Sequence, residues 1–204
     1  MKKTMKIGCI AAALAAIAGL DSWAADGTWT NLAGGSWSDS ANWAASTMAD
    51  GSGFAADFST LDIPSSRTVT LDGARTIGKL TFADAATPDS DWTLGTGSGG
   101  TLTLAGSPTI TVSNRTAIIS AALAGSSGLT NAGAGTLVLS AITNTFSGST
   151  SINAGKLVMG SALSLINNAA MTVNVGGALD IHGFGVYGNP YWRSTFGTLT
   201  IGGS

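Results

Sequence analysis

From residue 67 onward, apolar and polar positions alternate in short runs, many of them pairing a branched or long apolar residue with Thr. The runs cover residues 68–71, 77–82, 101–104, 109–112, 136–139, 156–159, 171–175, 178–181 and 198–201. Alternation with period two is the mark of a half-buried strand, and β-branched residues suit the pleated surface. Gly, Asn, Ser and Pro fall between the runs, where turns are needed. The pattern predicts an all-β chain of short strands.

The strands recur. Leu137, Leu157, Leu179 and Leu199 follow one another at a near-constant interval, Leu80 and Leu102 lie the same distance apart, and the region around Ile118 continues the series less regularly. A strand at fixed phase in a period of about 20 means stacked coils, each burying an apolar face on its neighbour. A β-sandwich also uses short strands, spaced by about 8–12 residues, but the recurring Gly-Thr-Leu, Gly-Lys-Leu and Gly-Ala-Leu starts favour a solenoid. Residues 25–65 break the pattern: Trp29, Trp37 and Trp43, then Phe54 and Phe58, crowd a short stretch. Large aromatics can cover the open first coil of such a stack, so this segment is expected to be an N-terminal cap, with β-helix repeats over 66–204.

Composition narrows the class further. Gly occurs 29 times, Thr and Ser are nearly as common, and neither Glu nor Gln occurs. That argues against a helical bundle or a dinucleotide-binding α/β domain. The segment 1–24 has a basic start (Lys2, Lys3, Lys6), an apolar stretch from Ile7 to Leu20 and small residues at Ser22 and Ala24. The stretch is short for a membrane span, which needs about 20 residues, and reads as a secretory signal cut by signal peptidase after Ala24. Cys9 leaves with it, so disulfide, thiolate and Cys-metal chemistry are not expected. The remaining charges are a few Lys and Arg outnumbered by aspartates, with no basic stripe, which disfavours nucleic acid as a partner.

Chemistry-bearing residues are few. His182 is the sole histidine; no Gly-x-Ser-x-Gly accompanies it, and one His without Cys or Glu makes neither a triad nor a usual zinc site. Two Gly-x-Gly-x-x-Gly matches, at Gly95, Gly97, Gly100 and at Gly183, Gly185, Gly188, lack a following helical pattern, which a pyrophosphate site requires. Asp84, Asp89 and Asp91 are expected in a solvated loop. Strand alternation turns Leu179 and Ile181 inward and Asp180 and His182 outward. A carboxylate such as Asp180 or Asp89 is what a polysaccharide-degrading β-helix protein would use. No catalytic residue, cofactor or metal is assigned. For surface recognition the best candidates are Tyr187, Tyr191 and Trp192, clustered in a long loop that would suit extracellular glycans.

Residues 128–140 (GLTNAGAGTLVLS), continuing through Asn144-Thr-Phe-Ser-Gly-Ser-Thr-Ser-Ile-Asn-Ala-Gly-Lys-Leu157, resemble the autotransporter-associated β-strand repeat. Looser kin occur at 74–80 and 177–184. Asn131, Ala141 and Phe146 stand where Lys, Gly and Tyr are usual. The resemblance implies a right-handed, single-stranded parallel β-helix on an exported, surface-displayed or secreted adhesin-like protein, outer-membrane-associated if a longer chain carries a barrel, in which the repeats are scaffold rather than enzyme. The chain stops in mid-repeat at Ser204, so a longer reading frame is expected. A self-assembling matrix or coat component, associating end to end through an open sheet edge, is the other reading.

Overall fold

The computed structural model describes residues 24–84, 90–165, 168–182 and 199–201. The leader expected over 1–24 lies outside them save for Ala24, as do Asp89, Tyr187, Tyr191 and Trp192.

The strands are β1 (Gly27–Thr28), β2 (Gly35–Ser36), β3 (Ala55–Phe58), β4 (Arg67–Leu71), β5 (Arg75–Phe82), β6 (Trp92–Thr96), β7 (Thr101–Val112) and β8 (Thr116–Ile119). They continue as β9 (Ala122–Ala124), β10 (Leu129–Ala132), β11 (Thr136–Leu139), β12 (Gly148–Ile152), β13 (Gly155–Met159), β14 (Asn168–Val173), β15 (Gly177–Asp180) and β16 (Leu199–Ile201). Helical structure among the described residues is limited to two 3-10 turns, Ser40–Asn42 and Ala44–Ser46.

The strands form two sheets. A nine-stranded sheet runs β1-β3-β5-β7-β10-β12-β14-β16, with β9 also beside β7, and a seven-stranded sheet runs β15-β13-β11-β8-β6-β4-β2. Every strand pair is parallel. The chain visits the sheets by turns, so the architecture is a parallel β-solenoid.

Register fixes the core. In the seven-stranded sheet Trp92, Ala117, Leu137, Leu157 and Leu179 stand in one column, and Val69, Leu94, Ile119, Leu139 and Met159 in the next. Ala117 beside Trp92 shows a small residue making room for a large one. Leu137 and Leu157 are fully buried, and removing one such side chain from water stabilises by about 1.5–3 kcal/mol.

The recurring leucines are shared between the two sheets. Leu199 does not continue the Leu137 column: it pairs with Met171 in the nine-stranded sheet. Leu80 does not face Leu102 either, for Leu80 pairs with Ile110 and Leu102 with Arg75. Each coil carries a strand on both sheets, so one and the same period can be caught at either phase. The runs at 101–104 and 109–112 are one strand, β7. A register shift between Ile77 and Lys79 of β5 divides it, so that its first half pairs with β9 and its second with β10. That bend opens a third, shorter side holding Ile77, Leu102, Leu104 and Leu123, all buried.

Tight corners explain the glycines. Gly155 has φ +63°, and a Cβ there would fall on the carbonyl oxygens of Gly133 and Gly135 in the coil before. Glycine alone meets both demands at little cost.

Residues 25–65 supply β1, β2 and β3 to the same two sheets, together with the aromatic cluster. Phe58 is its hub. Its ring centroid lies 5.7 Å from Trp29, 5.6 Å from Trp37, 5.8 Å from Trp43, 5.0 Å from Phe82 and 5.7 Å from Trp92. Trp29, Trp37 and Trp43 are each at most 2% exposed, so their faces are taken up by packing.

Candidate functional surface

The aspartates are where acid–base chemistry could reside, and their geometry commits most of them to joining coils. Asp26 Oδ1 accepts the Ala55 N–H at 2.7 Å. Asp50 Oδ1 accepts the Thr76 N–H at 2.9 Å, and its Oδ2 pairs with Arg75 Nη1 at 3.1 Å. Asp91 Oδ1 accepts the Thr116 N–H at 2.9 Å. In each case a short carboxylate reaches one coil forward to a backbone donor, a charge-assisted bond of the stronger kind. Asp72 joins three coils. The Ser36 hydroxyl, ahead of burial acting the other way, and then Thr70 Oγ1 and the Ser98 N–H hold its carboxyl below the ordinary value of 3.8.

Asp84 departs from the solvated loop expected of it. It is fully buried, and its carboxylate accepts the Ile63 and Ser90 N–H groups, each at 3.1 Å. Its backbone N–H donates to Asn114 Oδ1 and its carbonyl accepts from Asn114 Nδ2, at 2.9 and 2.7 Å. These partners lie in different coils, so sequence proximity to Asp91 carried no signal of them.

In the second half amides take over. Asn144, 6% exposed, accepts the Leu123 N–H at 2.8 Å and donates from Nδ2 to Ser164 O at 3.1 Å, tying the coil before to the coil after. Exposed Asn174 donates to Asn153 Oδ1 at 2.7 Å. Asn131 points into the core between Ile110 and Ile152. Its Nδ2 donates to Ala154 O at 2.9 Å, while its Oδ1 has no hydrogen-bond partner.

Asp180 and His182 meet as strand alternation predicts. Leu179 and Ile181 pack on the core, while Asp180 Oδ2 pairs with Lys156 Nζ at 2.6 Å and Oδ1 accepts the His182 backbone N–H at 2.9 Å. Lys156 first, then the His182 N–H, lowers the Asp180 pKa. His182 occupies the left-handed region, φ +48°, at the strand end. The first glycine match, Gly95, Gly97 and Gly100, leads into β7 rather than a helix, and Gly97 and Gly100 both donate to Leu71 O, so no phosphate cradle forms there. The second lies outside the described residues, as do Tyr187, Tyr191 and Trp192. Among the described residues no three of His, Cys, Asp and Glu gather as a metal site would need. No helix of the described residues is long and apolar enough to cross a membrane, which says nothing of a β-barrel.

One stretch matches a known repeat. The two successive coils built from β10 with β11 and from β12 with β13 match, over residues 129–159, the model of the passenger-associated-transport-repeat. The chain carries an autotransporter-associated passenger repeat. No curated protein and no solved structure matches the chain. Within the passenger repeat the three unusual residues are all buried: Asn131 is 1% exposed, Ala141 5% and Phe146 2%. Phe146 donates its N–H to Leu123 O at 3.1 Å, on the short third side. The repeat thus spans all three sides of the solenoid, and its Gly155 is the corner residue described above.

Proposed function

We propose that this chain is a non-enzymatic, exported β-solenoid scaffold, part of a surface-displayed or secreted adhesin-like protein of the autotransporter kind. The observation that carries the reading is the passenger repeat at 129–159, built as two successive coils continuous with both sheets. The commitment of Asp26, Asp50, Asp72, Asp84 and Asp91 to coil-joining bonds supports scaffold over catalysis. The leader over 1–24 sends the chain across the inner membrane, and Tyr187, Tyr191 and Trp192 offer aromatic faces to extracellular glycans.

The test is to express the full chain in a Gram-negative host and weigh the product outside the cytoplasm. A mature species beginning at Ala25 and open to externally added protease is expected after surface display by a fused barrel. An unprocessed cytoplasmic product sinks the export reading. For the partner, a glycan array is compared with the Tyr187→Ala, Tyr191→Ala, Trp192→Ala triple variant. Equal binding by both removes these three aromatics as the contact.

A further inference from the structure

A stack of parallel strands leaves an unpaired edge where it starts, ready to pair with another chain. At β2 that edge is occupied. Trp37 donates its N–H to Thr70 O at 2.8 Å, toward β4, so alternation turns the backbone groups of Ser36 to the free side. There Asn42 Nδ2 donates to Ser36 O at 2.8 Å, where a further strand would place its N–H. Asn42 is itself fixed, since its Oδ1 accepts from Asn31 Nδ2 at 2.7 Å and its carbonyl accepts the Thr30 N–H at 2.8 Å. It is 7% exposed.

The neighbouring tryptophans act in two ways. Their rings cover the end of the core, and their indole N–H groups take backbone carbonyls: Trp43 that of Trp37 at 2.8 Å, Trp37 that of Ala49 at 3.0 Å and Trp29 that of Asn31 at 2.8 Å. The chain crosses this end in the wrong sense for stacking, with antiparallel bridges from Trp29 to Trp43 and from Ala25 to Asp50. Turning it there takes two successive non-glycine residues in the left-handed region, Ala45 at φ +52° and Ser46 at φ +55°. Such strain persists only where surrounding contacts hold it.

We propose that residues 39–50 are a dedicated end seal, which stops a second copy of this chain from continuing the parallel sheets past β1 and β2. The seal is built from the Asn42 amide, the Trp43 indole and an antiparallel crossing, and it makes self-association at this end unfavourable.

The test uses the full chain in sedimentation velocity across a concentration series, with far-UV circular dichroism as a check on folding. Opening the seal with Asn42→Ala and Trp43→Ala together is expected to raise the associated fraction at least tenfold over the parent. Adding Ser36→Pro, which removes the edge N–H and blocks pairing, is expected to reverse it. A folded double variant that sediments as the parent overturns the proposal, and so does association that Ser36→Pro leaves untouched. If the double variant does not fold, Asn42→Ala alone decides. Increased association that Ser36→Pro reverses supports the seal, and parent-like behaviour overturns it.

Discussion

Asn144 and Asn131 occupy the same fold with opposite consequences. Asn144 satisfies two backbone groups of two other coils, so Asn144→Ala strands both. At about 1–3 kcal/mol for each buried group left unpaired, we expect a loss of roughly 2–6 kcal/mol in the urea unfolding free energy. Asn131 leaves its own Oδ1 unpaired between Ile110 and Ile152. Asn131→Val removes that oxygen and suits the strand, at the expense of the bond to Ala154 O. A gain of about 1 kcal/mol is expected, and a loss in the same unfolding measurement would show that the bond to Ala154 outweighs the orphan. Titration belongs to this scale too. Asp72 and Asp180 both have pKa values lowered from 3.8, so each contributes stability fully above its unfolded value and loses it as pH falls through its folded one. The melting midpoint is therefore expected to hold steady from about pH 7 to about pH 5 and to drop below 3.8 on account of these two groups, as a scanning series in pH would record.

The corner at Gly155 sets how closely successive coils approach. Gly155→Ala combines a left-handed backbone, costing about 1–2 kcal/mol, with a Cβ placed on two carbonyl oxygens of the preceding coil. A loss of about 2–4 kcal/mol by denaturant unfolding is expected. A far smaller change is expected at Gly53, where an added Cβ meets nothing within 4 Å and only its positive φ is strained. Elements were legible in proportion to how clearly their inward positions were apolar. The seven-stranded sheet announced itself, because β11 and β13 point Leu137, Leu139, Leu157 and Met159 inward. The β10 and β12 strands did not, since their inward set includes Asn131 and Thr150, both buried, and their sequences read as turn. The β1, β2 and β3 strands are very short and made mostly of small side chains, so they show no period. The same limit hid the bonding of Asp84: a carboxylate's partners in neighbouring coils lie a whole winding away along the chain, where no local pattern points to them.

At the scale of the molecule, the aromatic cluster and the coil-joining side chains divide the work. Phe58 touches five other aromatic rings across the first coils, and Phe58→Ala is expected to cost about 3–5 kcal/mol, enough to lower soluble yield as well as the melting midpoint. An effect below about 1 kcal/mol would mean the first coils stand without it. Carboxylates join coils through Asp91, amides do so from Asn114 onward with Asn131, Asn144 and Asn174, and Asp180 does so once more through Lys156. The alternate winding onto two sheets has a last consequence, for length. Thr136 pairs with both Thr116 and Lys156, so cutting out residues 136–155 hands the place of Thr136 to Lys156 and keeps every later strand on its own sheet. Cutting out half as many, 136–145, delivers β12 straight after β10 and asks two strands of one sheet to serve both. The chain can thus be shortened only in whole quanta, like a spring that loses a full winding and still closes but cannot lose half of one. The first excision is expected to give a soluble, β-rich product and the second an insoluble one.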